Sequence, residues 1–318
     1  MSAIPTRVLP RTVAQTEADI RRRRINKWIF VAGFVLPGLI IFFLFFIMPI
    51  SQSFYYSVFD WDGFGPPTDF IGIGNFERLL RHGVFQSAVE HSFIIMILSL
   101  VIQLPLALGL ALLVGRGKLA GRRVFRTILF VPYVFSEIIT ALIFRYVMHP
   151  TNGLLNWVGG LFPGFEPIPW LADQNIALYA IFFVLTWKFF GFHMILYMAG
   201  LQGIPPELED AARIDGASEF QVLRRITLPL LGSTIRLTTY LSVLGSFQQF
   251  ALVWVLTEGG PVNSTELFAT YLYKYGVQRF HLGYGSAVAV VLFAITLVFS
   301  LGYQRIVMRQ DYVLKAAD

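Results

Sequence analysis

Six apolar stretches of membrane-spanning length constrain this chain more than any other feature. They occupy residues 28–50, 92–114, 126–148, 176–200, 235–257 and 286–307. About 20 apolar residues in an α-helix cross the hydrocarbon core of a bilayer, and a helix pairs its own backbone polar groups there. Composition agrees, because 56% of the residues are hydrophobic and 14% are charged, against roughly 25% charged in soluble domains. The sequence predicts an all-α, polytopic membrane protein with six transmembrane helices.

Three of these stretches contain an internal proline, namely Pro37, Pro105 and Pro132. Proline lacks a backbone donor and leaves one helical carbonyl without its partner. In a membrane protein, neighbouring helices satisfy such carbonyls. We therefore expect each of these stretches to remain one span.

Basic residues are distributed unevenly between the connections, and this predicts the orientation. Nineteen of the 25 Lys and Arg residues fall in the N-terminal tail, the second and fourth connections and the C-terminal tail, whereas four fall in the other connections. Because positive charge accumulates on the cytoplasmic side, both termini are predicted to be cytoplasmic. The chain then divides into a basic cytoplasmic tail at 1–27, a transmembrane domain at 28–307 with a cytoplasmic loop at 201–231, and a cytoplasmic tail at 308–318.

The basic run at 21–24 precedes the first apolar stretch, as in a signal peptide. The stretch is too long for a signal peptide, and no small-residue cleavage site ends it. We interpret it as an uncleaved first span. The arginines before it are interpreted as topogenic charge rather than as a nucleic-acid-binding patch.

The chain lacks the motifs of common catalytic and nucleotide-binding sites. It has no cysteine, no G-x-x-x-x-G-K-[ST] loop, no H-E-x-x-H and no G-x-S-x-G, and its five histidines have no metal-ligand spacing. We therefore predict no catalytic residue, no metal site and no cofactor bound by this chain. An intramembrane enzyme is therefore disfavoured, and the sequence indicates a polytopic protein that has no nucleotide-hydrolysing site of its own.

A charged segment at 207–231 separates the fourth and fifth apolar stretches. Pro206 suits the first position of a helix, and Gly216 suits its end. Ser218 with Gln221 is a capping-box pattern that opens a second helix. The sequence predicts a cytoplasmic helix–glycine–helix with small side chains at its tip. The alternative is an amphipathic pair on the membrane surface, although anionic lipids would repel its acidic start.

The same segment resembles the EAA loop of ABC-importer permease subunits, which reads E-A-A, three residues, G, nine residues and I-x-L-P. DAARIDG at 210–216 and ITLP at 226–229 match this spacing, with aspartate where glutamate is usual. In that family the loop docks into a cytoplasmic ATPase subunit and transmits its closure. The resemblance implies that the ATPase-coupling residues are Glu209, Asp210, Ala211, Ala212, Asp215, Gly216 and Ala217.

Other segments, among them 125–148 and 256–265, are similar to the carbohydrate-uptake branch, which contains the maltose permease family. The resemblance implies a second homologous permease that forms a heterodimer with this chain. It also implies two ATPase subunits that carry ATP and Mg²⁺, and an extracytoplasmic solute-binding protein. The implied location is a bacterial or archaeal cytoplasmic membrane.

The fifth apolar stretch is unusually polar. Ser242, Ser246 and Gln249 recur at i, i+4 and i+7 and therefore share one helix face. Such a stripe favours a position toward the bundle interior or an aqueous path. Hydrogen bonding between helices is the alternative. Resemblance to the maltose permease family implies that these side chains bind a sugar.

Lys188, Phe189 and Phe192 share a face of the fourth stretch by the same spacing. Aromatic faces suit sugar rings, and the resemblance implies that these residues also bind substrate. Packing against lipid is the alternative for each phenylalanine.

Glu137 and Lys188 are charged residues deep within the third and fourth stretches. A charge at that depth costs about 3 kcal/mol on insertion scales, so it requires a partner. We expect the two residues to form an intramembrane ion pair. The alternative is that each faces the translocation path alone.

These features predict a permease subunit of an ATP-driven importer that moves a sugar or oligosaccharide by alternating access. One alternative is an importer for a phosphorylated polyol, a polyamine or another small solute. The other is a self-sufficient secondary carrier or channel.

Overall fold

A computed structural model describes residues 13–115 and 121–308 of the chain, and at 13–20 and 23 it describes the backbone alone. Some basic residues of the predicted tails and of the second connection lie outside the described residues, namely Arg7, Arg11, Arg116, Lys118, Arg309 and Lys315. Within the described ranges no β-strand occurs, apart from one isolated bridge between Phe59 and Phe70. The prediction of an all-α fold is confirmed.

The described residues form α-helices joined by turns and by π-helical segments. In chain order the helices are α1 (Val13–Phe42), α2 (Met48–Tyr56), α3 (Gly74–Arg81), α4 (Gly83–Leu98), α5 (Leu104–Gly115), α6 (Arg122–Val134), α7 (Glu137–Val147), α8 (Leu154–Gly159), α9 (Ala177–Gln202), α10 (Pro206–Ile214), α11 (Glu219–Val222), α12 (Leu228–Leu230), α13 (Gly232–Gln248), α14 (Ala251–Thr257), α15 (Phe268–Tyr271) and α16 (Leu282–Ile306). The π-helical segments that follow α1, α4, α11 and α15 are Phe43–Ile47, Ser99–Gln103, Leu223–Thr227 and Leu272–Val277.

The first apolar stretch forms one long helix within a unit of its own, Met1–Tyr55. α1 continues through its π-helical segment into α2, and Pro37 lies inside α1 without ending it. The apolar part, Arg24–Tyr56, has 33 residues. At 1.5 Å per residue it is about 50 Å long, which exceeds the roughly 30 Å hydrocarbon core.

The second unit, Tyr56–Asp318, contains three more continuous helices of membrane-spanning length and composition. They are Gly83–Gly115, Ala177–Gln202 and Leu282–Ile306. Pro105 lies at the second position of α5, directly after the π-helical segment that joins α4 to α5, and the helix continues past it.

The third and fifth apolar stretches each form two helices with a break between them, so the stretch that contains Pro132 is not one continuous helix. α6 and α7 meet at 99°, and α13 and α14 meet at 43°. After Pro132, which donates no backbone hydrogen bond, Phe135 adopts an extended conformation. Ser136 then caps α7 by accepting a hydrogen bond from the Ile139 amide at 3.2 Å. The described residues therefore contain four continuous spans, or six if each bent pair is one span.

α9 is the central helix of the second unit, because it packs against α5, α6, α7, α13 and α14. Gly191 allows α6 to approach closely. A Cβ atom at Gly191 would overlap the carbonyl oxygen of Leu129 and lie 3.1 Å from Cα of Phe130. The absence of a side chain therefore sets the spacing between these two helices.

A buried ion pair holds the connection between α14 and α16. Glu266 is fully buried, and its carboxylate lies 3.0 Å from Nζ of Lys274. The same ammonium donates a hydrogen bond to Oδ1 of Asn263 at 3.1 Å. His91 Nδ1, from α4, lies 3.0 Å from the carbonyl of Glu266. These contacts tie the connection to the helical bundle.

We predict that Gly191→Ala lowers the stability of the protein by about 1 kcal/mol. Overpacking costs about 1–3 kcal/mol, and this exceeds the roughly 1 kcal/mol that alanine gains over glycine in a helix. Gly109→Ala is the matched control, because a Cβ at this helical glycine meets no described atom within 4 Å. The measurement is the thermal unfolding midpoint in detergent. An equal or higher midpoint for Gly191→Ala than for Gly109→Ala would contradict the prediction.

Candidate functional site

A cavity of about 200 Å³ lies between α4 with its π-helical segment, α6, α9 and α13. Its polar lining comes from Ser99, Gln103, His193, Ser242, Ser246 and Gln249. Its aromatic lining comes from Tyr133, Phe189 and Phe192. The cavity therefore combines neutral polar groups with ring faces inside a bundle of otherwise apolar helices.

The structure brings five of the six proposed substrate-binding residues to this one cavity: Phe189, Phe192, Ser242, Ser246 and Gln249. The sixth residue, Lys188, is not among the lining residues. Gln249 is extended and lies at the break between α13 and α14. The chain therefore changes direction between α13 and α14 at a residue that lines the cavity.

Three buried polar atoms that belong to lining residues have no hydrogen-bond partner among the described residues. They are Oγ of Ser242, Nδ1 of His193 and Oε1 of Gln249. Ser246 differs, because its hydroxyl donates to the Ser242 carbonyl at 2.9 Å. A buried polar atom without a partner costs about 1–3 kcal/mol. A ligand or water that bonds these atoms within the cavity would recover that cost.

The aromatic residues are arranged around Tyr133 of α6. The Tyr133 and Phe192 rings stack with centroids 5.0 Å apart and planes at 20°. Phe189 meets Tyr133 edge-on at 6.2 Å. Phe189 and Phe192 therefore line the cavity and contact Tyr133. The alternative expectation for them was packing against lipid.

Lys188 is buried beside this cavity, with 3% of its surface exposed. Its ammonium donates a hydrogen bond to the carbonyl of Tyr133 at 3.2 Å and another to the carbonyl of Phe135. It also lies 5.5 Å from the ring centroid of Phe189. Lys188 thus contacts two aromatic residues of the cavity wall, Tyr133 and Phe189, without lining the cavity itself.

The expected ion pair between Glu137 and Lys188 is not formed within the part of the chain that the structure describes. The break between α6 and α7 is the physical reason. A continuous helix would consume the carbonyls of Tyr133 and Phe135 in its own hydrogen bonds, but the broken helix leaves them to the ammonium. The buried ammonium is therefore hydrogen-bonded by two carbonyls where a carboxylate was expected.

The sequence analysis missed four polar or aromatic lining residues: Ser99, Gln103, Tyr133 and His193. Ser99 and Gln103 are buried at i and i+4, a spacing that places both on one face of the second apolar stretch. That signal resembles the one that identified Ser242 and Ser246. For Tyr133 and His193 the sequence carries no comparable signal.

A second candidate site lies on the segment between α9 and α13. α10 and α11 are separated by Gly216, whose φ of +85° favours glycine. The capping box predicted for Ser218 and Gln221 is present, with both hydrogen bonds formed. The structure therefore contains the helix–glycine–helix that the sequence predicts.

Glu209 holds α10 against the π-helical segment that follows α11. It is buried and accepts a hydrogen bond from the Thr227 hydroxyl at 2.6 Å. Its carboxylate also lies 3.8 Å from Arg213. Glu209 therefore points into the segment, whereas Asp210 is exposed next to it.

Arg213 bridges the two helices on the exposed side. Its guanidinium contacts Asp210 at 2.7 Å and Glu219 at 2.8 Å. The hydrogen bond from Arg213 holds the pKa of the Glu219 carboxyl below its ordinary value. Because Arg213 occupies the carboxylate of Asp210, Asp210 is already oriented before any partner arrives.

The tip of the segment exposes small and apolar side chains. Ala211, Asp215 and Gly216 are exposed, and Ala212 and Ala217 are half-buried. Two large apolar residues stand beside them, Ile214 at 86% and Phe220 at 68% exposure. Exposed apolar side chains on a polar segment are typical of a protein contact surface. No metal-binding group of three or more His, Asp or Glu side chains occurs in the described residues.

Comparison with known proteins gives a family match over most of the helical bundle. Residues 103–311 match the family described as "Binding-protein-dependent transport system inner membrane component". The diacetylchitobiose uptake system permease protein NgcF of Streptomyces coelicolor is 34% identical over 295 residues, which cover 88% of this chain and 83% of that protein. The trehalose/maltose transport system permease protein MalF of Thermococcus litoralis is 31% identical over 272 residues, covering 86% and 91%.

A solved structure shares the fold. It is the crystal structure of a bacterial ABC transporter involved in the import of the acidic polysaccharide alginate. The similarity has a TM-score of 0.76 at 25% identity, and it covers 92% of this chain and 99% of the matched chain. The overall helical arrangement described above therefore corresponds to an architecture found in such a transporter.

We predict that Lys188→Met destabilises the protein by about 2–3 kcal/mol, because two buried carbonyls lose a charged donor. Glu137→Gln should change the stability by less than about 0.5 kcal/mol, since Glu137 does not pair with Lys188. Lys188→Arg, which keeps the charge and the donors, should recover part of the loss. The measurement is thermal unfolding in detergent. Equal losses for Glu137→Gln and Lys188→Met would instead favour an ion pair.

Proposed function

We propose that this chain takes part in sugar import, because it belongs to the family of binding-protein-dependent transport system inner membrane components. In this family the membrane component is a transport subunit, and the ATPases are separate subunits. The chain is therefore not an enzyme, and a self-sufficient carrier or channel is disfavoured. Within this family we propose that the chain forms half of the pathway for a sugar or oligosaccharide.

The observation that carries the substrate class is the cavity between α6, α9 and α13. Unpartnered atoms of Ser242, His193 and Gln249 belong to its lining, and a polyhydroxylated ligand both donates to and accepts from such neutral groups. The faces of Phe189 and Phe192 suit the apolar surfaces of a sugar ring. The names of the relatives, which include diacetylchitobiose and trehalose/maltose permeases, favour the same class.

An anionic substrate, such as a phosphorylated polyol, is less well supported. The buried cation nearest to the cavity is Lys188, but Lys188 does not line the cavity, and its ammonium already donates hydrogen bonds to the carbonyls of Tyr133 and Phe135. None of the described lining residues is an aspartate, glutamate, lysine or arginine. We therefore favour a neutral sugar.

The size of the cavity supports a pathway shared with a second subunit. Its volume of about 200 Å³ is below the roughly 300–1,000 Å³ typical of small-molecule sites. We propose that a homologous permease supplies the opposite wall. The two chains would form a heterodimer around one translocation path.

For the orientation, we propose that both termini are cytoplasmic and that each bent helix pair counts as one crossing. The tails at 1–27 and 308–318 and the loop at 201–231 then share the cytoplasmic side. Support comes from the excess of Lys and Arg in these segments. The membrane would be the cytoplasmic membrane of a bacterium or archaeon.

We propose that α10 and α11 dock into a cytoplasmic ATPase subunit. The contact surface would comprise Asp210, Ala211, Ala212, Asp215, Gly216 and Ala217, together with Ile214 and Phe220. Glu209 would act differently from the others, because it is buried against Thr227. Its contribution would be to keep the two helices in one fixed arrangement.

The chain connectivity provides a mechanical link from this segment to the cavity. α9 ends at Gln202, three residues before α10 begins at Pro206. After α11, a π-helical segment and α12 lead directly into α13. Both α9 and α13 line the cavity.

When ATP binding closes two ATPase subunits, movement of the docked segment would be transmitted to the cavity walls. The cavity would then open alternately to the two sides of the membrane. ATP and Mg²⁺ would be bound by the ATPases, and a solute-binding protein would deliver the sugar on the outer side.

We predict that Gln249→Leu weakens sugar uptake by roughly 5- to 100-fold at subsaturating substrate. The loss of one or two hydrogen bonds in a buried site costs about 1–3 kcal/mol. Gln248→Leu is the matched control, because Gln248 is exposed and does not line the cavity. The measurement is ATP-dependent uptake into vesicles that hold the assembled transporter and its binding protein. Equal uptake by the two variants, or uptake without ATPase subunits, would contradict the proposal.

We predict that Asp210→Lys removes the ATPase subunits during purification, because it reverses a charge on the docking surface and repels Arg213. Asp210→Glu keeps the carboxylate and should retain them. The measurement is the ratio of ATPase subunit to permease after affinity purification, with thermal unfolding as a check that the variant is folded. Co-purification of equal amounts with both variants would show that the segment is not the ATPase contact.

A further inference from the structure

A second cavity, of about 350 Å³, is lined by several basic side chains. These residues are remote in sequence from the helices α10 and α11. Its lining includes Arg78 and Arg81 of α3, His82, and Arg279 and His281 before α16. It shares no lining residue with the cavity between α6, α9 and α13. It therefore does not belong to the proposed sugar site.

The three arginines of this cavity have no counter-charge in the described part of the chain. None of the described lining residues is acidic, and no carboxylate pairs with Arg78, Arg81 or Arg279. Two of the three lie near rings: the guanidinium of Arg279 is 4.2 Å from the Tyr275 centroid, and that of Arg78 is 5.4 Å from the Tyr284 centroid. Three like charges around one cavity repel one another unless an anion joins them.

A hydrogen-bonded chain of side chains forms the wall behind the arginines. Nδ1 of His82 lies 2.7 Å from the Tyr271 hydroxyl, which lies 2.6 Å from the Tyr284 hydroxyl. Burial, followed by the charges of Arg279 and Arg78, lowers the pKa of His82, so its ring is neutral at pH 7. The positive charge of the cavity at neutral pH thus comes from the guanidinium groups.

The cavity lies where two apolar helices begin. His82 directly precedes the helix Gly83–Gly115, and His281 directly precedes Leu282–Ile306. At 33 and 25 residues, both helices exceed the roughly 20 residues that cross the hydrocarbon core. Their first turns therefore extend to the level of lipid headgroups, where tyrosines such as those of this wall are common.

Exposed apolar side chains border the cavity. Phe280 and Val277 are 57% and 42% exposed. Phe64 packs on Phe280 with ring centroids 5.7 Å apart, and it is also exposed. Charge inside the cavity with apolar surface beside it matches a ligand that carries an anionic group on an apolar body.

We propose that this cavity binds a phosphate group at the membrane surface, held by Arg78, Arg81 and Arg279. Guanidinium groups match phosphate oxygens through paired hydrogen bonds. The phosphate belongs to an anionic phospholipid headgroup or to a soluble phosphate, and both offer the same oxygens. The apolar border favours the lipid, because its acyl chains would bury the exposed side chains of Phe280 and Val277.

The test measures how fast phenylglyoxal modifies each arginine of the assembled transporter in vesicles, by peptide mass spectrometry. We expect vesicles containing phosphatidylglycerol to slow the modification of Arg78, Arg81 and Arg279 relative to phosphatidylcholine alone. The modification rate falls by a factor of 1 + [L]/Kd, where [L] is the lipid concentration. The rate is therefore about tenfold lower when the lipid concentration is about ten times the Kd. Arg145 is the control, because it is exposed, lies near the end of α7 and does not line the cavity.

Inorganic phosphate added to phosphatidylcholine vesicles distinguishes the two sources. Protection by phosphatidylglycerol alone identifies a lipid, and protection by inorganic phosphate identifies a soluble ligand. Arg279→Gln should reduce the protection of Arg78 and Arg81, whereas Arg145→Gln should not.

Three results would overturn the proposal. The first is equal modification rates under all conditions, and the second is equal protection of Arg145. The third is protection that requires the solute-binding protein, which would assign the cavity to an acidic side chain of that protein. Sugar uptake is not part of this measurement, so its outcome is independent of the proposed transport function.

Discussion

The ammonium of Lys188 holds the corner on which the cavity between α6, α9 and α13 depends. α6 ends at Val134, and the helix break leaves carbonyls of Tyr133 and Phe135 without helical partners. Unpaired carbonyls in an apolar medium cost several kcal/mol each, so a break can persist only where another group supplies donors. Lys188 supplies them from α9. The corner in turn places the Tyr133 ring against Phe192, and so it shapes the aromatic wall.

α9 therefore serves the structure in two ways. Its buried face carries the lysine that stabilises the corner and the aromatic side chains of the cavity. Its end leads, after three residues, into the helix pair α10–α11, which is braced by Arg213 and by the bond between Glu209 and Thr227. A braced segment between two cavity-lining helices transmits displacement rather than absorbing it. That geometry is the physical basis of the coupling that we propose.

The two cavities differ in the kind of ligand that each could hold. The cavity beside α9 offers neutral hydrogen-bonding atoms and ring faces, which suit a sugar without charge. The cavity between α3 and the start of α16 offers guanidinium groups without counter-charge, which suit a phosphate. An energetic reason supports keeping such groups apart. A guanidinium that faced the first cavity would be costly to desolvate, whereas we place the second cavity at the level of the polar headgroups.

Much of this protein is determined by local sequence patterns. The length of the six apolar stretches determined that they become helical, because a helix pairs the backbone N–H and C=O groups of a single segment within a bilayer. Pro206, Gly216 and the pair Ser218–Gln221 determined the helix pair, because caps act within a few residues. The i, i+4, i+7 spacing determined that Ser242, Ser246 and Gln249 share a face, and the structure places all three in one cavity.

Only the tertiary structure decided the partners that come from distant segments. The break after Pro132 became a stable corner because Lys188, more than fifty positions later, donates to it, and this replaced the expected pair with Glu137. Ser99, Gln103, Tyr133 and His193 joined the cavity through helix packing, which includes the close approach at Gly191. Arg78 of α3 and Arg279 of the turn before α16, which are far apart in the chain, line one cavity for the same reason. Periodicity reports which face a residue occupies, but it cannot report which helix that face will meet, because that choice depends on packing between segments.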